Sequence, residues 1–155
     1  MAKRYPHRHP TLLALEGWYD CGTYKFKLSC RFHDILRCAS FNGKTRHFRS
    51  CFDPSGIGSY AFQSFKRCTR DNWAIVYTPD KHGNFMGRAF AHLERTNYLQ
   101  AQSIPNLSTT DEILILDKIY GNRLKSEDVI SKIYEKCQQY DLSIECVTDT
   151  GDTYL

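Results

Sequence analysis

Trp73-Ala-Ile-Val-Tyr-Thr78 and Phe85-Met-Gly-Arg-Ala-Phe-Ala-His-Leu93 are two β-rich runs, separated by Pro79-Asp-Lys-His-Gly-Asn84. Branched and aromatic side chains suit a pleated surface, and Pro, Asp, Gly and Asn between them punctuate a turn. Gly83 supplies the left-handed backbone position that closes such a connection. The pair predicts an antiparallel hairpin, and a hairpin in the middle of the chain sets the fold class.

Working outward, Tyr24-Lys-Phe-Lys-Leu-Ser-Cys30 alternates strictly. Tyr24, Phe26, Leu28 and Cys30 fall on one face, and Lys25, Lys27 and Ser29 on the other, the pattern of a half-buried strand with a basic outer face. Arg37–Phe41 and Lys44–Phe48 flank Asn42-Gly43, a strong hairpin signal. Asp53-Pro-Ser-Gly-Ile-Gly58 is expected as a loop, with Ser59 capping a short helix after it. Residues 97–111 are polar and loop-like. Glu112–Tyr120 is a short apolar run taken as strand. Ser126 is the expected cap of a helix over about 127–140, with Glu127 and Asp128 at its positive end. Val129, Ile130, Ile133, Tyr134 and Cys137 form that helix's apolar stripe. Leu142–Thr148 is the expected last strand. The sum is an α+β fold: an antiparallel sheet of five to six strands with one or two packed helices.

The chain has 155 residues, which suits one domain over 1–155. Its 41% hydrophobic and 25% charged residues are ordinary for a globular protein and argue against disorder. Residues 1–10 read as an irregular basic arm, with Pro6 and Pro10 blocking regular structure. No apolar run approaches the roughly 20 residues of a membrane span, and no signal-like core follows the basic start. Seven cysteines, odd in number and irregularly spaced, then point to a reducing cytoplasm and not to a disulfide frame.

The net charge of +4 hides a split. Residues 1–75 carry thirteen Lys and Arg against five Asp and Glu, and residues 76–155 carry eight against twelve. The basic half would draw a polyanion. Lys25, Lys27, Arg31, Arg37, Lys44, Arg46 and Arg49 are the candidate contacts, interleaved with Tyr24, Phe41 and Phe48 as stacking rings.

Two other constellations carry chemistry. Cys30-x2-His33 and His47-x3-Cys51 have spacing close to a zinc finger's, although the arginines around them oppose a cation. Zinc is therefore an alternative, and no cofactor is the main expectation. Cys51 also lies beside Arg49, whose charge favours a thiolate. His47 or His92 would then be its base, and Asp53 or Asp80 the orienting group. Gly56-Ile-Gly58-Ser59 lacks the lysine and spacing of a phosphate loop.

Arg49-Ser-Cys-Phe52, then Trp73-Ala-Ile-Val-Tyr77 with Asp80, Gly83 and Phe85-Met-Gly-Arg-Ala-Phe90, then Asp117-Lys-Ile-Tyr-Gly-Asn122, occur in that order. The order resembles small accessory proteins of bacteriophages over about residues 49–140. The resemblance implies a non-enzymatic protein of the host cytoplasm that binds and blocks a host nucleic-acid-processing or defence complex, CRISPR complexes included. Its partner would be a host protein or nucleoprotein, with nucleic acid a further candidate. Within the motif, Gly87 would let backbones approach, and Arg88 would pair with Asp80 or Asp117. A small Cys/His enzyme and a zinc-stabilised nucleic-acid-binding module are the alternatives.

Overall fold

The computed structural model describes residues 8–40, 70–95, 112–142 and 144–148. Their element order is α1 (Pro10–Leu15), β1 (Gly17–Asp20), β2 (Lys25–Ser29), α2 (Phe32–Ser40), β3 (Trp73–Pro79), β4 (Phe85–Arg95), β5 (Glu112–Leu116), β6 (Tyr120–Gly121), α3 (Ser126–Gln139) and β7 (Ile144–Thr148). The strands form one sheet in the order β1-β2-β3-β4-β5-β7, with the two-residue β6 also on β4. Every pair is antiparallel except β5–β7, which runs parallel. A parallel neighbour needs a crossover between the strands, and α3 lies in that stretch of chain. The α+β expectation holds, and its mainly antiparallel sheet is six strands wide on the main path.

The sheet is buried on both faces. On one face Phe26, Leu28, Val76, Ala89, Ala91, Leu114 and Leu116 meet Leu12 and Leu15 of α1 and Val129, Ile133 and Cys137 of α3. On the other, Ile75, Tyr77, Phe85 and Phe90 lie beneath Ile35 and Leu36 of α2. Removing this apolar surface from water is the main stabilising term, and truncating a side chain such as Ile133 costs about 2–5 kcal/mol.

Three local expectations are corrected. Pro10 does not block structure; it opens α1 at the first helical position, where its missing N–H costs nothing, and the His9 ring accepts from Thr11 N at 3.1 Å. The first arm of the expected Asn42-Gly43 hairpin is instead the end of α2. Asp34 explains the switch: it sits in the first turn of that helix, buried, and accepts from Ser29 Oγ at 2.6 Å. Finally, Lys125 and not Ser126 is the N-cap of α3, with no side-chain cap bond. Asp128 accepts instead from Tyr24 Oη at 2.6 Å, which ties α3 to the start of β2.

The central hairpin matches its expectation. Gly83 takes φ 82° in its turn, and the Asp80 carboxylate accepts from the amides of His82 and Asn84 at 2.8 and 2.9 Å. Those amides, Asn84 first, hold the Asp80 carboxyl below its ordinary value. The segments 41–69 and 96–111, with the expected second hairpin arm, the Ser59-capped helix and the glycine loop, lie outside the described residues.

Candidate active site

β4 and β5 pair from Arg95↔Glu112 to Ala91↔Leu116, and β6 resumes the pairing at Arg88↔Tyr120. Between those points two residues of β4 face three of the other segment, so the chain carries one extra residue, a bulge. Asp117 N donates to Phe90 O at 2.8 Å at its start, and Asn122 N to Met86 O at 2.7 Å beyond it. Bulges re-aim side chains, and this one begins at Asp117.

His92 stands one step away, opposite Trp73 on β3 and Ile115 on β5. Residues i and i+2 of a strand share a face, so Glu94 lies beside it. His92 Nδ1 is 3.0 Å from Glu94 Oε1, and Nε2 is 3.5 Å from Asp117 Oδ1. The Trp73 ring stacks on the imidazole at 4.4 Å with 23° between planes. Asn72 Nδ2 donates to Leu93 O at 3.0 Å and reaches Glu94 Oε1 at 3.4 Å. The imidazole is thus fixed in plane by an indole and in rotation by a carboxylate that is itself anchored. Of the two ring nitrogens, Nε2 has the longer contact.

Burial alone would lower the His92 pKa. Asp117 and then Glu94 outweigh it, and the net shift is upward from 6.5. The ring fills the space between the two carboxylates, and among the described residues no group of three or more His, Cys, Asp or Glu is placed to hold a metal ion.

The structure sorts the sequence candidates unevenly. Lys25 and Lys27 share a sheet face as expected, Lys25 exposed and Lys27 with its Nζ 5.7 Å over the Trp18 ring. Arg31 is exposed between β2 and α2, and Arg37 lies within α2 instead of on a hairpin strand. Lys44, Arg46, Arg49, His47, Cys51 and Asp53 lie outside the described residues. Of the alternative metal ligands, Cys30 is in the core, 1% exposed, and His33 is on the surface. Burial and then the Glu16 carboxylate push the Cys30 thiol up to about 12. Asp80 belongs to its turn. Arg88 is buried, with its guanidinium 5.1 Å from the Tyr120 ring centre, and a Cβ on Gly87 would stand 2.4 Å from Asn122 O, so that glycine does permit close approach. His92 is visible in the sequence, but its partners Glu94 and Asp117 do not stand out there. The His-x-Glu spacing on a strand is the available signal for Glu94.

No protein-family model matches this chain. No curated protein matches it either. Among solved structures, ribosomal-protein-alanine N-acetyltransferase from Brucella melitensis biovar Abortus 2308 is 13% identical at a TM-score of 0.47, covering 81% of this chain and 79% of that one. Aminoglycoside N-acetyltransferase AAC(6')-Iy in complex with CoA is 13% identical at 0.40, covering 62% and 69%. The BH1408 protein from Bacillus halodurans is 14% identical at 0.36, covering 80% and 76%.

These findings correct the expectation of a phage-type inhibitor of a host defence complex. Two of the three similar structures bear N-acetyltransferase names. No helix among the described residues is long and apolar enough to cross a membrane.

Proposed function

We propose that this chain is an acid–base enzyme that transfers an acyl group to an amine, with His92 as the proton acceptor. The observation that carries the reading is the clamped imidazole: Nδ1 on Glu94 at 3.0 Å, Nε2 on Asp117 at 3.5 Å, the ring stacked on Trp73. A general base works best with a pKa near the working pH, and the upward shift of His92 moves it that way. An amine nucleophile is protonated in neutral water and must lose a proton before it attacks. His92 Nε2 takes that proton, and Asp117 stabilises the imidazolium that forms. The amine nitrogen then bonds to the acyl carbon and gives up its second proton to solvent, the bond from that carbon to its thiol carrier breaks, and the carrier leaves with the first proton, returned from the imidazolium. Glu94 holds the ring and Asn72 holds Glu94; neither touches the reacting atoms.

Acetyl-CoA is the first donor to test, because a thioester releases a thiol that can be followed continuously. The acceptors to offer are ribosomal-protein alanine and aminoglycosides, the acceptors in the names of the similar proteins. The full chain should release thiol in an amine-dependent way, at a rate that climbs with pH through the raised pKa of His92. His92→Gln should lower kcat/KM by about 10²–10⁴. Equal rates for that folded variant and the parent protein, or no amine-dependent release with any acceptor, would overturn the reading.

A further inference from the structure

Two of the contacts that fix the His92 site come from consecutive residues at the entry to β3: Asn72 reaches Glu94, and Trp73 stacks on the imidazole. From Trp73 onward, pairing with β4 holds that stretch, and Leu93 N donates to Asn72 O at 2.9 Å. Just before it, Arg70 and Asp71 form an exposed bend outside any strand or helix. Exposed bends are the parts of a fold that open most readily. Here the bend is gripped by the N-terminal arm: His9 N donates to Asp71 O at 3.0 Å, and Arg8 Nη1 donates to Arg70 O.

The grip is itself anchored. α1 begins at Pro10, directly after the two residues, and its Leu12 and Leu15 are fully buried in the core. The His9 ring caps that helix, with Nδ1 accepting from Thr11 N at 3.1 Å. An Nδ1 that accepts leaves the ring proton on Nε2, which lies 3.3 Å from Glu112 Oε2. β3, β4 and β5 are consecutive in the sheet, and Glu112 opens β5. His9 therefore ties the stretch before β3 to the start of β5, across the end of β4 that carries His92 and Glu94. Arg8 is 7% exposed, and a guanidinium so buried is costly to leave without its partners.

Glu112 shares its face of β5 with Leu114 and Leu116, which meet α1. His92 and Glu94 alternate with Ala91 and Leu93 of that same cluster, so they lie on the other face of the sheet. The influence of the arm on the imidazole thus runs through the backbone of 70–72.

We propose that Arg8 and His9 are positioning residues for His92: they hold the backbone of 70–71 where Asn72 reaches Glu94 and Trp73 covers the ring. The kinetic consequence rests on the reading of His92 as proton acceptor, but the placement of the ring is measurable without turnover. With the arm released, the indole moves off the imidazole and Glu94 loses its anchor, while Asp117 stays. The ring then keeps less of the opposite charge that raises its pKa.

Proton NMR of the full chain, following His92 Cε1–H between about pH 5.5 and 9, reads both effects. An indole face shifts a stacked proton upfield, and His92→Gln assigns the signal among the six histidines. His9→Asn keeps an acceptor for the α1 cap but is too short to reach Glu112. Arg8→Met removes the donor and keeps an apolar stem. Both should move the signal downfield and lower the titration midpoint of the ring. Both should also reduce kcat/KM about tenfold with KM little changed. Ile133→Val, which thins the core without touching the arm, should leave signal and midpoint at the parent values. If Arg8→Met does not fold, His9→Asn decides. A parent-like signal and midpoint in every folded arm variant overturns the proposal, and so does an equal change in Ile133→Val. The two readings fail separately: a ring that responds in a chain without acyl transfer strikes the catalytic reading alone. An unmoved ring in an active chain strikes the positioning role alone.

Discussion

His92 couples the protonation of one ring to the stability of the whole chain. Its pKa is higher in the folded protein than the ordinary 6.5, with burial opposing and Asp117 and Glu94 prevailing. A raised folded value means that protonation favours the native state. The stabilisation is complete below about pH 6.5, and it disappears as pH rises through the folded pKa. Denaturant titrations of the parent chain and His92→Gln at several pH values between about 5.5 and 9 should therefore show a gap that narrows as pH increases. A gap independent of pH would mean that the ring does not bind its proton more tightly when folded. The same residue shows where sequence reading stops. His92 stands out as a titratable group in a predicted strand, and strand periodicity puts Glu94 on the same face. Asp117 is 25 residues further on, and only the β4–β5 register brings it to Nε2.

Elements are legible wherever their own side chains decide them. The β3–β4 hairpin, β2 and α3 emerge from alternation, turn chemistry and an i, i+4 stripe. α2 does not, because its stability comes from outside its own span: Ser29 bonds Asp34, and Ile35 is buried with Ile75 and Phe90 of the sheet. The bulge at Asp117 is equally hidden, being a mismatch between two segments and not a property of either. The loop around Gly121 is likewise fixed by what it touches. A Cβ there would stand 2.1 Å from Met86 O, on a backbone at φ 92°. Gly121→Ala should cost about 3 kcal/mol by denaturation midpoint. Gly22 supplies the control: it has φ 87° but nothing within 4 Å of a Cβ, so Gly22→Ala should cost only about 1 kcal/mol. Equal losses at the two positions would show that the close contact with β4 contributes nothing.

Across the whole molecule, the sheet has two chemically different ends along β3. One carries an anchored imidazole between carboxylates, and the other an open basic cavity with an indole wall. The charge split in the sequence foreshadows neither arrangement, since Lys25 of the first half meets Lys81 and Arg123 of the second in one cavity. The sheet is also asymmetric in how its strands are joined. β1–β2 and β3–β4 are neighbours in sequence and close through short turns, whereas β7 reaches β5 only after α3 has been traversed. Loop closure must precede that pairing, so β7 is the natural last arrival during folding and the first departure on local opening. Native-state hydrogen exchange should find the amides of 144–148 released well before those of β3 and β4, as a fraying edge that peels away while the hairpin core keeps its protons.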